Sequence, residues 1–226
     1  LGESNEYTAV HREAEHGAFA AFDLMHRGQK LAHIELQIPG LHNVYNALAA
    51  AAVADKLGIA PAQYAASLHQ FEGARRRFEI LGRPCGITIA DDYAHHPTEL
   101  AATLTAAKEL GFHAVWAVFQ PFTFSRTKML MDDFARVLPI ADHVVMTEIM
   151  GSRETNTYGV YTADLAAKIP GSVWFPTKDE VADYVAAHAQ PGDLVITLGC
   201  GDIYKAAKRM LRTLTEKEQA AQVEAK

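Results

Sequence analysis

The first forty residues read as short strands joined by polar turns. From Phe19 to Leu24 and from Lys30 to Ile38, apolar and polar positions roughly alternate on either side of Gly28. A two-residue period is typical of strands with one buried face, so the pattern predicts two antiparallel strands. Pro39-Gly40 ends this strand pair.

Two helices are predicted next. Residues 43–57 are rich in alanine, and the pattern indicates a helix capped by Asn43 and closed by Gly58. A second helix is predicted to begin at Pro61, because proline suits the first helical position, and to fade near Phe71. We place a domain boundary here, which predicts one domain over residues 1–72 and another over residues 73–226.

The second domain alternates apolar runs with helical patterns. Two strands are predicted around a turn from Gly82 to Gly86. Beyond Ile87, a strand is followed by a helix five times. The predicted helices are Pro97–Leu110, Lys128–Leu138, one from about Ala163, Lys178–His188, and one from Asp202 to about Leu214. A capping box from Thr177 to Glu180 introduces the fourth helix, and a charged helical tail follows the fifth. Alternation with buried strands predicts an α/β fold whose mainly parallel sheet has helices on both faces.

Composition narrows the class of protein. Of the 226 residues, 49% are hydrophobic and 21% are charged, as in compact globular proteins. The net charge of −6, without a long basic run, argues against nucleic acid and membrane partners. Cys85 and Cys200 have no nearby metal-type partner, there is no long apolar run, and no leader is evident, so we expect a reducing, cytoplasmic location.

Polar residues follow the predicted strands at the edge where ligands collect in doubly wound sheets. Residues 91–97 read Asp-Asp-Tyr-Ala-His-His-Pro after one strand. Two carboxylates, a phenol and two imidazoles could bind ribose, hold a hard cation through water or move protons. The alternative is structural: Asp91 or Asp92 would only satisfy loop amides, and one histidine would fill a gap in the core. We disfavour a dedicated zinc site because one segment alone supplies the cluster.

Two further strand ends carry candidate ligands. Arg126 and Thr127 stand at a predicted helix entrance, where a guanidinium and helix amides favour a carboxylate or phosphate. A threonine cap beside a surface arginine is an equal alternative. Residues 199–202 read Gly-Cys-Gly-Asp, which a tight strand-to-helix turn explains without any ligand.

Two clusters lie earlier in the chain. Asn43 and Asn46 are one helical turn apart, so both could face an adenine edge, although Asn43 alone could be a helix cap. The three arginines at 75–77 fit either a solvated helix end or a site for a polyanionic small molecule.

Together these segments resemble the Mur ligase family. The matching pieces are PGLHNVYNALAA, EGARRRFE, DDYAHHPTE, FQPFTFSRT, NTYG and GDLVITLGCGDIYK, in family order and covering nearly the whole chain. The resemblance implies an ATP-dependent, amide-forming ligase, and the DDYAHHPTE segment resembles members that join L-alanine to UDP-N-acetylmuramate through an acyl phosphate. It also implies ATP and Mg²⁺ as cofactors.

The resemblance implies which domains are represented. The family has a sugar-nucleotide domain, a central ATPase and a Rossmann-like third domain, and this chain lacks the phosphate loop G-x-x-x-x-G-K-[ST]. It therefore resembles part of the ATPase domain, residues 1–72, followed by the third domain. We expect these 226 residues alone to be inactive, with most Mg²⁺ ligands elsewhere.

Site residues are carried over by motif. Many family members read His-Arg at Phe122 and Thr123, which is a departure on the substrate side. The resemblance implies catalytic roles for Arg76, Arg77 and His95; nucleotide contacts for His42, Asn43, Asn46 and Asp92; and substrate contacts for Arg126 and Thr127, with no metal ligand.

Three other functions fit parts of the sequence. A murein peptide ligase would differ by accepting a preformed peptide in place of free L-alanine. A stand-alone nucleotide-binding module would bind adenine nucleotides tightly without further residues. A metal hydrolase built on Asp91, Asp92, His95 and His96 would hold stoichiometric transition metal.

Overall fold

The structure is a computed structural model, and it describes residues 5–15 and 19–224. The chain forms two compact units, residues 1–74 with 109–111 and residues 75–108 with 112–226. The change of unit falls at residues 74–75, and the domain boundary proposed after Glu72 remains a prediction. In the described part of the chain, no helix is long and apolar enough to cross a membrane.

The first unit is a three-stranded antiparallel sheet in the order β1-β2-β3, followed by two helices. Its core joins Phe22, Leu24 and Ile34 of the sheet to Val44 and Ala47 of the first helix. The elements are β1 (Tyr7–Glu15), β2 (Phe19–His26), β3 (Gln29–Pro39), α1 (Leu41–Lys56) and α2 (Pro61–His69). The predicted strand pair and both helices are therefore present.

One detail of this unit corrects the sequence prediction. Asn43 lies inside α1, and its side-chain amide donates to the Pro39 carbonyl at 2.8 Å. The N-cap is Gly40, at φ +98°, a conformation that favours glycine. The prediction that Asn43 caps the helix was wrong because Leu41 and His42 already belong to it.

The second unit is a six-stranded sheet in the order β4-β5-β9-β6-β7-β8. All pairs are parallel except β4 with β5. The elements are β4 (Glu79–Gly82), β5 (Thr88–Asp92), α3 (Pro97–Glu109), β6 (Val115–Phe119), α4 (Phe124–Met129), α5 (Met131–Val137), β7 (His143–Thr147), α6 (Thr162–Ala166), β8 (Val173–Phe175), α7 (Lys178–His188), β9 (Leu194–Leu198) and α8 (Tyr204–Glu224).

Helices cover both faces of this sheet, as predicted. One core packs α3, α5 and α6 against the sheet around Leu104, Phe134 and Leu165. The other packs α7 and α8 around Val181 and Met210. Strands β5, β6 and β9 are buried along their whole length because both of their faces are covered.

Two helix boundaries differ from the sequence prediction. The helix expected at Lys128–Leu138 is two helices that meet at Leu130, whose φ and ψ of −109° and 19° interrupt the first. The last helix continues to Glu224 without a break after Leu214. The capping box of α7 is confirmed: Thr177 Oγ1 accepts from the Glu180 amide at 3.2 Å, and the Thr177 amide donates to Glu180 at 3.0 Å.

A buried carboxylate ties β6 to the turn before β9. Asp193 is 2% exposed and accepts from the Trp116 indole at 2.9 Å, from His113 Nδ1 at 2.8 Å and from the Gln190 amide at 2.8 Å. Burial acts to raise the pKa of Asp193, but these donors outweigh it, and the net pKa is lowered.

We expect Asp193→Asn to lower the free energy of unfolding by about 1–3 kcal/mol, because an amide group then faces at least one donor. Chemical denaturation measures the loss. Since the folded pKa is below the unfolded value, the carboxylate stabilises the fold above pH ~3.8 and loses its contribution as the pH falls through the folded value. The difference between variant and parent should therefore shrink in acid. The control Asp183→Asn removes an exposed partner of Arg209, whose attraction is screened by solvent, and should lower the free energy of unfolding far less. Equal losses for the two variants would contradict the assignment.

Candidate functional site

Three strand ends meet at one edge of the second sheet. In the parallel ladders Asp92 pairs with Leu198, and Leu198 pairs with Phe119. The Gly199 amide donates to the Asp92 carbonyl at 3.2 Å, and the Gln120 amide donates to the Leu198 carbonyl at 3.0 Å. The helices after β5 and β6 pack on one face and the helix after β9 packs on the other. This is the switch point at which doubly wound sheets bind ligands.

Arg76 is committed to holding this edge together. Its Nε donates to Asp91 at 2.8 Å, and its two terminal nitrogens donate to the carbonyls of Gly201 at 3.2 Å and Gly199 at 2.8 Å. The guanidinium carbon lies 4.9 Å from the ring centres of both Tyr93 and Tyr204. Three of its five N–H donors are therefore engaged within the protein, which supports a structural role, and the predicted catalytic role of Arg76 stays a prediction.

Arg77 has the opposite environment. It is exposed, and its guanidinium lies 5.5 Å from the Tyr93 ring centre. Its positive charge acts to lower the pKa of both Asp92 and Glu99, which places it beside them. Of the two arginines carried over by motif, Arg77 is thus the one that keeps its donors available for an anion.

The paired aspartates organise the backbone. Asp91 is 2% exposed and accepts from Thr197 Oγ1 at 2.6 Å as well as from Arg76. Asp92 is 5% exposed and accepts from the amides of Ala94 and Phe78, both at 2.7 Å. Burial is the main cause that raises the pKa of Asp92, against those two amides. Both side chains therefore act first as anchors for the loops around them.

The hydrogen bonds accepted by Asp91 and Asp92 limit the use of these carboxylates as metal ligands. No group of three or more His, Cys, Asp or Glu suited to a metal ion occurs in residues 5–15 and 19–224. The oxygens of Asp91 and Asp92 are engaged by protein donors. The carboxylates of Asp91 and Asp92 therefore do not fit a Mg²⁺ ligand set in this conformation.

His95 is held by its own loop. Nδ1 lies 3.0 Å from the Tyr93 carbonyl, and because a carbonyl can only accept, Nδ1 carries the hydrogen in this contact. Neutral imidazole then keeps its lone pair on Nε2. Glu99 accepts from the amides of His95 and His96 at 3.0 and 3.2 Å. Burial acts to raise the pKa of Glu99, but these amides and the His95 ring outweigh it and lower the pKa.

Arg126 is a second cation of this edge that forms no ion pair among the described residues. Its Nη1 is buried without a hydrogen-bond partner, and among the described residues no carboxylate lies within 4 Å of it. Burial raises the pKa of the Cys200 thiol, while Arg126 and Arg76 oppose this rise and Glu99 adds to it. Arg126 therefore shares one electrostatic environment with the Gly199–Gly201 turn and with the glutamate that holds His95.

Thr127 does not reach this surface. It is 0% exposed, and its hydroxyl donates to the Thr123 carbonyl at 2.7 Å inside the first turn of α4. A fully buried hydroxyl with a backbone partner offers no surface to a substrate, so this geometry does not support the predicted substrate contact, which stays a prediction. Thr127 instead stabilises the helix that carries Arg126.

The residues predicted to bind adenine lie in the first unit. Asn46 donates to the Asn43 side-chain oxygen at 3.1 Å, and both line a cavity of about 610 Å³ with Leu36, Tyr64 and Phe71. His42 is exposed in the first turn of α1. An apolar cavity with two amides at its rim suits a planar heterocycle, and the nucleotide role of this group remains a prediction.

Sequence reasoning missed several residues of the second-unit site. Tyr204 stacks on Arg76, and Gln120 is 4% exposed with an unpartnered carbonyl oxygen beside Gly201. Glu154 bonds to the residue before Arg126. Gln120 and Tyr204 stood inside quoted motifs without being selected, whereas Glu154 lies outside every motif and gains its role from contacts across the fold.

The fold and this edge define a doubly wound α/β protein with Arg76, Arg77 and Arg126 gathered near its switch point. The chain belongs to the Mur ligase family, since residues 76–201 match the Mur ligase, glutamate ligase domain. The predicted family and fold class are confirmed.

Several relatives are similar over most of the chain. The UDP-N-acetylmuramate–L-alanine ligase of Lachnospira eligens is 44% identical over 195 residues, which are 84% of this chain and 42% of that protein. The crystal structure of UDP-N-acetylmuramate–alanine ligase from Thermotoga maritima has a TM-score of 0.80 at 28% identity, covering 96% of this chain and 47% of that one. A murein peptide ligase from Psychrobacter arcticus has a TM-score of 0.63 at 28% identity, covering 95% and 45%. The chain thus spans about half the length of these relatives.

Proposed function

We propose that the chain is the carboxy-terminal part of an ATP-dependent ligase that joins L-alanine to UDP-N-acetylmuramate. Relatives 36–45% identical carry the name of that ligase. The observation that carries the proposal is Arg126, a half-buried cation whose Nη1 has no hydrogen-bond partner and which forms no ion pair among the described residues, at the strand edge where His95 and Glu99 also lie. Such a group requires an anionic partner, and both substrates carry carboxylates.

The proposed chemistry follows from what these side chains can do. The ligase would transfer phosphate from ATP to the lactyl carboxylate of the sugar nucleotide, and the alanine amine would displace the phosphate. Arg77 would face the phosphate side and reduce the repulsion between anions. Arg126 would hold a carboxylate, and Nε2 of His95 would accept a proton from the alanine ammonium. Asn43 and Asn46 would contact adenine.

The direct test is an assay of the full-length polypeptide that carries this chain. We expect ADP and phosphate release that requires ATP, UDP-N-acetylmuramate and free L-alanine together. The 226 residues alone should give none, because the phosphate loop and its magnesium ligands are not among them. Turnover by the 226 residues would refute this second expectation.

The murein peptide ligase is the second candidate, because one solved structure of that kind shares 28% identity with the chain. It has the lower TM-score of the two solved structures compared, 0.63 against 0.80. An enzyme that used a preformed peptide and rejected free L-alanine would favour it over our proposal. Tight adenine-nucleotide binding by the 226 residues in calorimetry would instead favour a stand-alone nucleotide-binding module.

A further inference from the structure

The loop after β7 is joined to the loop after β6. Phe122 and Met150 form a parallel bridge. The Thr123 amide donates to the Met150 carbonyl, and the Met150 amide donates to the Pro121 carbonyl, both at 2.9 Å. The three residues just before α4 are therefore held by Met150, about 28 positions later in the sequence.

A glycine keeps the second loop close to α4. A Cβ placed on Gly151 would lie 2.4 Å from the Phe124 ring and 3.0 Å from the Glu154 carbonyl. Any side chain there would push the two segments apart. The Glu154 amide donates to the Gly151 carbonyl at 2.9 Å, which closes a turn and directs the Glu154 segment back towards α4.

Both carboxylate oxygens of Glu154 bond to Ser125. One oxygen accepts from the Ser125 amide at 2.8 Å, and the other accepts from the Ser125 hydroxyl. Amides in the first turn of a helix have no acceptor within the helix, so Glu154 satisfies one of them from outside. The Ser125 bonds are the main cause that lowers the pKa of Glu154, which keeps it ionised at neutral pH.

Arg126 follows Ser125 in the chain, and Glu154 does not neutralise its positive charge. The two side chains are close enough for Arg126 to act on the pKa of Glu154, yet they form no ion pair within 4 Å in the described structure. The carboxylate thus fixes the backbone on which Arg126 stands and leaves the guanidinium without an ion-pair partner among the described residues.

We propose that Glu154 is a positioning residue for Arg126, acting through its two bonds to Ser125. This inference rests on the proposed function, in which Arg126 holds the carboxylate of a substrate. Glu154 does not touch the substrate; it sets the orientation of α4 so that the guanidinium meets the carboxylate in a productive geometry.

The direction in which KM changes in Glu154→Gln distinguishes a positioning role from a purely electrostatic one. If Glu154 acted only through its charge, Glu154→Gln would leave Arg126 more attractive to anions, and the substrate KM would fall. If Glu154 positions α4, Glu154→Gln loses one of two acceptors, the first turn loosens and KM rises. A misplacement of about 1 Å can cost on the order of 100-fold in an active site, so a rise of about tenfold is expected.

The experiment uses the full-length ligase with the variants Glu154→Gln, Ser125→Ala and both together. We expect KM for one carboxylate substrate to rise about tenfold in each single variant, with kcat changed less than about threefold and the double variant no worse than the poorer single one. Ser125→Thr, which keeps the hydroxyl, should restore most of the affinity. Asp132→Asn on α5 removes an exposed charge, 89% accessible, and serves as the matched control with unchanged KM.

Amide hydrogen exchange provides a readout that does not depend on activity. Exchange at the Ser125 amide should accelerate in Glu154→Gln and stay unchanged in Asp132→Asn. Unchanged exchange, or a KM that falls in Glu154→Gln, would overturn the positioning role. If the parent enzyme had no alanine-dependent activity, the proposed function would fail, and accelerated exchange would still support the action of Glu154 on α4.

Discussion

Replacement of Arg76 by methionine is expected to lower the free energy of unfolding by about 3–5 kcal/mol. Asp91, which is 2% exposed, would lose its cationic partner and remain a buried charge with only the Thr197 hydroxyl as a donor. The carbonyls of Gly199 and Gly201 would lose their donors as well. Chemical denaturation of the 226-residue chain measures the loss.

Arg77→Met is the matched control for this experiment. It removes the same side chain one position later, where the guanidinium is exposed and has no buried carboxylate to satisfy, so we expect a change within about 0.5 kcal/mol. Arg76→Lys should fall between the two, since one ammonium cannot reach Asp91 and both carbonyls. Equal destabilisation by Arg76→Met and Arg77→Met would contradict the division of roles.

Variants of Arg76 and Arg77 also distinguish a role in folding from a role in catalysis when they are made in the full-length ligase. Arg77→Met should fold normally and lose kcat by a factor on the order of 10² to 10³, the usual cost of a donor that stabilises charge in the transition state. Arg76→Lys should lose activity in proportion to its loss of folded protein. Activity that survives in Arg77→Met would show that the phosphate-side cation lies elsewhere.

Arg126→Met is expected to give the other large effect, on substrate affinity. A charge-assisted hydrogen bond contributes about 1.5–3 kcal/mol, so the loss of one such bond predicts an increase in KM of about 10- to 150-fold. Folding stability should stay the same or rise slightly, because burial of the unpartnered Nη1 costs free energy in the parent. Steady-state kinetics and thermal unfolding of the same samples check both halves of the prediction.

Lys128→Met controls for the loss of a positive charge on the same helix. Lys128 is exposed two positions after Arg126, and its replacement should leave KM within about twofold. Arg126→Lys keeps the charge but not the planar fork, so it should recover only part of the affinity. The assignment would be wrong if Arg126→Met destabilised the fold and reduced activity only in step with the folded fraction.

Much of the fold followed from local patterns. Strands β5, β6, β7 and β9 were predicted because each is a short apolar run between helical segments, and α7 was bounded by its Thr177–Glu180 capping box. These signals depend on residues within about four positions of one another, which is why a single sequence shows them. The Asn43 cap failed for the same reason: a polar side chain at a helix entrance looks alike whether or not the helix begins earlier.

The sequence identified candidate residues of the site but not which of them are engaged by partners within the protein. His95, Arg77 and Arg126 were selected from motifs, and their proposed functions remain to be tested. Arg76 and Thr127 were selected from the same motifs. In the structure, Arg76 donates to Asp91 and to two backbone carbonyls, and Thr127 is fully buried. Three consecutive arginines differ little in sequence, so only their partners distinguish them.

The sequence by itself determined the α/β alternation, the family and the segments that end at the ligand-binding edge. Tertiary structure alone decided that β9 lies between β5 and β6, which brings the Gly199–Gly201 turn to Asp92 on one side and Gln120 on the other. It also decided that Arg76 serves that turn, 123 positions away, and that Glu154 serves Ser125. The physical reason is that strand order and such bonds are fixed by packing and by the satisfaction of buried polar groups between distant segments, which no local periodicity encodes.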